Sequence, residues 1–337
     1  MVMPMQKTTL LAPILLATLA FAGCHGAEDD INLADTGVIK LAFLPKDTDQ
    51  DPEKDPQRLA AWIEEQTGIK TEIYPIDSDG AAIEALRFDR AHAAFFDGAA
   101  AWIGWKSYGL EAIAADQKGD GRTYYNAQAW IRADSPIQDF ADLKGTDSCH
   151  TGLLKSAGMF MPMGYLIKEG HAEVVGDPDD INSLVGTVDA FFGTPTIPEK
   201  GQEFAGYDGA LKCISVGHGD VAFIRDSTWD DYCGKTDAPD WCLDKSAYRQ
   251  LPAFGQVPSH PVMVSPHLDA TSRDLLRGAL LALNDSPEGQ SILEEVLETP
   301  GITGVTTEEH LGTWSENLEH VPGVKAHFMA KHKISTA

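Results

Sequence analysis

The chain has 337 residues, of which 26 are basic and 51 acidic, giving a formal net charge of −25 at pH 7. So acidic a surface argues against a nucleic-acid partner, which is held by Lys and Arg on phosphates; it favours solubility and cationic ligands in a general way, and a salty habitat accounts for it better. Roughly three hundred residues beyond a leader are enough for two domains, each with its own core.

The first predicted element is an export signal. Lys7 precedes an apolar run from Leu10 to Leu19 and then Phe21-Ala22-Gly23-Cys24, too short for a membrane span. Residues 1–23 read as a signal peptide and Cys24 as a lipidated mature N-terminus; cleavage without lipidation is the alternative, because Phe21 is less usual at its position. Residues 24–36, polar and acidic, read as a tether outside the fold. The protein is therefore expected to be exported and lipid-anchored, periplasmic or at the cell surface.

Val38 to Leu44 reads as a first strand, Pro56 to Gln66 as a helix, Thr71 to Tyr74 as a second strand and Gly80 to Phe88 as a second helix. His92 to Phe96 is a third strand ending at Asp97, followed by a helix over Ala99 to Tyr108. Strand and helix alternate with short turns, which predicts a parallel α/β sheet. Ligands of such sheets sit at the carboxyl ends of strands, where Asp97 falls, although Asp also caps helices. After a strand near Ala112 to Ala114, the alternating segment Tyr124 to Ile131 reads as a crossover into a second domain, and Gln256 to Val264 as the return. Helices from Ser272 to Leu283 and Glu288 to Leu297 finish the fold, with a loose tail beyond Lys331. Two crossovers make one domain discontinuous, residues 37–123 plus 259–330, around a second at 124–258. This is the plan of a binding protein that closes on a central cleft.

Within the second domain, Asp147 to Gly158 reads as a strand end, a turn with Gly152 and the start of a helix. Small residues at Ser156, Ala157 and Gly158 leave helix N-terminal amides open to an anion, with Thr151 able to add a hydroxyl and Lys155 a charge. Besides Cys24 there are Cys149, Cys213, Cys233 and Cys242, and an even number outside the cytoplasm suggests disulfides. The short Cys233 to Cys242 spacing favours a local loop staple among the three pairings, leaving Cys149 with Cys213. A hydrolase nucleophile at Cys149 and His150 is disfavoured, since sequence neighbours rarely face each other in catalytic geometry.

The run Ser148-Cys149-His150-Thr151-Gly152-Leu153, with Ser156-Ala157-Gly158 and Pro162-Met163-Gly164 after it, resembles the anion-binding segment of a transferrin lobe. So do Gly206-Tyr207 through Cys213, Gly219 to Phe223, Ser227-Thr228, Cys242-Leu243-Asp244 and Gln256 to His260. The likeness spans roughly Ala91 to His260 in the family order, while the flanking elements look equally like the phosphate and phosphonate binding proteins of ABC transporters. It implies a periplasmic-binding-protein-like α/β fold of type II and a ferric ion held by Asp97, Tyr125, Tyr207 and His260. A carbonate or bicarbonate would sit at Thr151, Lys155, Ala157 and Gly158, and Cys149 and Cys213 fall where the family has a disulfide. Asp116 is placed behind His260, and Arg225 where some lobes carry a lysine that helps acid release.

Hard ferric iron prefers anionic oxygen, so a carboxylate, two phenolates, a carbonate and one imidazole suit it. Lys155 departs from the family's usual Arg and lacks its bidentate fork. The expected function is capture of iron with a synergistic anion, as a monomer, and delivery to a membrane transporter. The alternative is a phosphate or phosphonate binding protein of an ABC system. No catalytic constellation stands out.

Overall fold

The computed structural model describes residues 30–43 and 55–334; the signal peptide and Cys24 lie outside the described residues. A short helix α1 (Leu33–Thr36), capped by the Asn32 side chain, leads into β1 (Val38–Phe43). Helix α2 (Gln57–Thr67) ends at Gly68 in the left-handed region, which glycine adopts without strain. Then come β2 (Lys70–Pro75), α3 (Asp79–Arg87) with Ser78 as its cap, and β3 (Ala93–Phe95). Helix α4 (Gly98–Tyr108) and β4 (Glu111–Asp116) complete this stretch.

The chain crosses over into β5 (Tyr124–Arg132) and continues through β6 (Ser148–Cys149), α5 (Met161–Lys168), α6 (Ser183–Phe191) and β7 (Pro195–Thr196). Next are α7 (Gly206–Ser215), β8 (Val221–Arg225), α8 (Thr228–Tyr232) and β9 (Tyr248–Pro258). It returns as β10 (Pro261–Val264), followed by α9 (Ala270–Leu281), α10 (Pro287–Glu295), β11 (Ile302–Gly304), α11 (Thr307–Leu318) and α12 (Val324–Lys331).

Two sheets result, ordered β11-β4-β10-β3-β1-β2 and β7-β6-β8-β5-β9. Strand β1 runs parallel to β2 and β3, but β10 is antiparallel to β3 and β4, and β5 is antiparallel to β8 and β9. The expected all-parallel sheet is thus corrected to mixed sheets. A strand that arrives by crossing directly from the other sheet has no helix to reverse it, so it enters in the opposite sense. The crossovers lie side by side, with Tyr124 paired to Pro258 and the Ser259 amide bonded to the Thr123 carbonyl at 2.8 Å.

Three further expectations are corrected. The expected tether over residues 24–36 fails from Ile31 onward, where the Ile31 amide bonds the His267 carbonyl at 2.7 Å and Leu33 is fully buried. One apolar side chain in an acidic run is enough to dock the segment, a signal that composition averages away. The fold does not finish at Leu297, since β11, α11 and α12 follow. Nor is the tail loose through Ile334, since His332 and Ile334 are buried and the Gly80 amide bonds the His332 carbonyl at 2.9 Å.

Helix α11 sits between the two halves. Trp102 of α4 donates its indole N–H to Ser315 at 3.0 Å, while Asn317 donates to the Phe254 carbonyl of β9 at 3.0 Å. At Gly164 of α5 a β-carbon would fall 2.2 Å from the Asn317 carbonyl oxygen, so only glycine permits this approach. One apolar cluster runs from Ile83, Trp102 and Ile103 through Met161, Leu311 and Trp314 to Phe160, Phe223 and Phe254. Separate clusters fill the outer faces of the sheets.

Candidate functional site

Beside the crossovers lies a cavity of about 290 Å³ whose polar lining includes Asp97, Lys118, Tyr125, Ser156, His260 and Lys331. Aromatic walls from Phe160, Trp314 and Phe328 back it. Asp97 stands just past β3 and caps α4, its Oδ1 accepting the Ala100 amide at 2.8 Å. The cap holds one oxygen and leaves Oδ2 for other partners. Both roles foreseen for this residue, at a strand end and on a helix start, are therefore structurally compatible.

His260 occupies the gap between β9 and β10. Its amide donates to Asp116 Oδ1 at 2.6 Å and its Nδ1 lies 3.1 Å from Asp116 Oδ2. The bond to Asp116 raises the imidazole pKa above its ordinary value against the opposing effect of burial. Burial also works against the Asp116 carboxylate, but bonds from His260 and Ser259 hold its pKa below the usual range. With Nδ1–H engaged, Nε2 is the ring atom left to a ligand.

Tyr125 on β5 and Tyr207 on the first turn of α7 meet edge to face, with hydroxyl oxygens 3.2 Å apart. Burial pushes the Tyr125 phenol well above its ordinary pKa, reinforced by Tyr207, and burial raises Tyr207 as well. Cations answer this: the Arg225 guanidinium lies 4.8 Å from the Tyr207 ring centre and Lys118 Nζ 5.4 Å from that of Tyr125. Arg225 is also paired with Asp231 at 2.8 Å.

The turn after β6 is tied to α7 twice, by the Cys149–Cys213 disulfide and by the Gly206 amide bonded to the Thr151 carbonyl at 3.1 Å. The turn and the start of the helix that carries Tyr207 are therefore tied to each other. Cys233 and Cys242 form the second disulfide. The helix opens irregularly, with a π-helical turn over Ser156–Phe160 before α5, and its own hydrogen bonding begins at Met159, whose amide reaches the Lys155 carbonyl at 2.9 Å. The preceding amides, those of Ala157 and Gly158 among them, are not used by the helix. Thr151 is buried with its hydroxyl against Gly158, where a β-carbon would lie 2.0 Å from Oγ1. Lys155 is exposed.

His150, fully buried, donates from Nδ1 to the Gly158 carbonyl at 2.7 Å and accepts from Ser148 at Nε2. Burial pushes its pKa down to about 4, so the neutral ring serves as a strut under the turn. With Cys149 in a disulfide, the pair has no nucleophile to offer.

Asp97, Tyr125 and His260 thus share one cavity, and Tyr207 joins through the Tyr125 hydroxyl. Sequence reasoning passed over Lys118, Lys331 and His332. His332 lies in the tail expected to be loose, Lys331 at its start, and no motif marks any of the three.

Over residues 41–310 the chain matches the family described as "ABC transporter, phosphonate, periplasmic substrate-binding protein". The chain belongs to that family. This member of the substrate-binding family is also similar to curated transferrins. It is 28% identical over 253 residues to a transferrin of Blaberus discoidalis, covering 60% of the chain and 35% of that protein. To human lactotransferrin it is 30% identical over 224 residues, covering 56% of the chain and 31% of the relative. The chain spans about a third of the length of these curated relatives. Among solved structures, transferrin 1 from Manduca sexta superposes with a TM-score of 0.60 at 16% identity, covering 88% of this chain and 51% of that one. XAC2383 from Xanthomonas citri, solved bound to chloride ion, gives 0.52 at 19% identity, covering 86% and 99%. Both place the binding protein in a two-domain type II fold.

Proposed function

We propose that the protein binds ferric iron together with a small anion outside the cytoplasm, as a lipid-anchored component that passes iron to a membrane transporter. The observation that carries this reading is the pair of buried phenols, Tyr125 and Tyr207, with hydroxyl oxygens 3.2 Å apart. Two oxygens bound cis to a six-coordinate ion with bonds of about 2.1 Å sit about 3 Å apart. Two such phenols in a pocket with no cation have little use for ionisation; beside a trivalent hard ion they become strong anionic ligands. Asp97 and the Nε2 of His260 complete the protein ligands, with Asp116 orienting the imidazole and Arg225 easing charge on Tyr207. Carbonate or bicarbonate is assigned to the turn at Thr151, Lys155, Ala157 and Gly158. Domain closure is assigned to residues 37–123 plus 259–330 against 124–258, about the paired crossovers.

Both phenols must lose protons as iron enters, and both start above the ordinary tyrosine range. Affinity therefore falls as pH drops, by release of iron to protons. Ferric iron with bicarbonate should give a visible tyrosinate-to-iron charge-transfer band, absent from Tyr207→Phe and Tyr125→Phe. A colourless protein would refute the reading.

The family description favours a second reading, a phosphonate or phosphate ligand, which Lys118 and Lys331 at the cavity would suit. Calorimetry with methylphosphonate and inorganic phosphate separates the two. Tight binding of either by Tyr125→Phe and Tyr207→Phe variants would favour the oxyanion.

A further inference from the structure

Outside the ligand set just described, Asp97 faces a second group of residues. His332, at the end of α12, has a side chain only 5% exposed, and its Nδ1 lies 2.7 Å from Asp79 Oδ2. A carboxylate at that distance accepts from Nδ1, which leaves Nε2 as the ring atom open to a ligand. That Nε2 is buried, makes no hydrogen bond among the described residues, and lies 3.6 Å from Asp97 Oδ2. A cation held between this nitrogen and the Asp97 oxygen would give the buried Nε2 a partner.

We propose that Asp97 and His332, with Asp79 behind the imidazole, form a second cation site for a divalent transition ion of the zinc class at the edge of the cavity. Two donors bound at about 2.1 Å in a tetrahedral arrangement are about 3.4 Å apart, close to the observed spacing. The three residues offer ligand atoms within 4.8 Å of one another. A carboxylate holding the far nitrogen of a histidine is the arrangement that fixes the tautomer and raises the basicity of a metal-bound imidazole. Mixed nitrogen and oxygen donors suit zinc or its neighbours better than a hard trivalent ion. Lys331 Nζ lies 3.8 Å from the same Asp97 oxygen, on a half-exposed side chain with room to turn into solvent. Water from the cavity completes the coordination.

The proposal shares Asp97 with the ferric reading and otherwise rests on residues which that reading does not use. The test is calorimetric titration of the chelator-treated full chain with zinc chloride, repeated with cobalt(II) to read its visible absorption. One zinc per chain is expected. His332→Gln should weaken binding by about 100-fold and Asp79→Asn by about 10-fold. The Tyr125→Phe, Tyr207→Phe double variant should keep zinc affinity within about twofold, so loss of the ferric band and loss of zinc separate the two readings. Circular dichroism checks that each variant folds. If His332→Gln does not fold, the half-exposed Asp79→Asn decides. No zinc binding, binding unchanged in both His332→Gln and Asp79→Asn, or binding lost in the tyrosine double variant would overturn the proposal.

Discussion

His150 is the residue with the clearest energetic consequence. Its folded pKa of about 4 lies below the ordinary 6.5, so the unfolded chain binds the proton first. The stability this buried neutral ring contributes is complete above about pH 6.5 and is lost as pH falls towards 4, on the order of 3 kcal/mol in all. Urea denaturation at pH 7 and pH 4.5 should show that loss in the apo-protein, and His150→Gln should flatten the dependence. The two phenols work at the other end. Both are raised above their ordinary value of 10, so stability is full below about pH 10 and falls as pH rises through the folded pKa values. Tyr125→Phe should reduce that alkaline loss. For Lys155, which is exposed at the anion turn, Lys155→Arg should retain bicarbonate to lower pH, read as persistence of the iron band, because a guanidinium grips an oxyanion in two places. Unchanged persistence would take Lys155 out of the anion assignment. The four ligand candidates could be named from sequence because their types and order resemble a known lobe; that Tyr125 and Tyr207 touch, and that Asp116 takes both the amide and ring of His260, depends on a fold that brings distant residues together.

Elements here are held by glycines at crossings more than by regular periodicity. Gly158 lets the Thr151 hydroxyl rest on the helix start, and Gly164 lets α5 lie against the Asn317 backbone. A β-carbon at Gly164 meets a carbonyl that belongs to a packed helix and cannot turn aside, so Gly164→Ala should cost about 3 kcal/mol, measured by urea denaturation. A loss under about 1 kcal/mol would mean that α11 shifts freely on α5. The first four strands and first three long helices were legible, because alternating burial and capping residues such as Ser78 and Asp97 are written locally. The antiparallel sense of β5 and β10 was not, since strand direction follows from which sheet the chain has just left. Helices α11 and α12 escaped for a related reason. The buried residues of α11 include His310, Ser315 and Asn317, which carry hydrogen bonds into the core and blur the apolar stripe that marks a helix in sequence, and α12 buries only Val324 and Phe328, too few to make a stripe.

At the scale of the molecule, the last segment joins both halves. The Gly323 amide bonds the Pro178 carbonyl at 2.9 Å on one side, and the His332 carbonyl accepts from Gly80 on the other. Deleting residues 319–337 would remove Val321, Val324 and Phe328, all buried in the intact chain, and uncover Trp102 and Phe160, whose rings pack edge to face on Phe328. Such a truncated protein should bind a hydrophobic dye and unfold with reduced cooperativity; a sharp, dye-free transition would show that the two halves seal without it. The same arrangement sets an order of events in synthesis. The central apolar cluster draws on Leu311, Trp314, Val324 and Phe328, so it cannot close until synthesis has passed residue 328. Until then a nascent chain stays incompletely folded, the condition in which a polypeptide can still be threaded elsewhere before it settles.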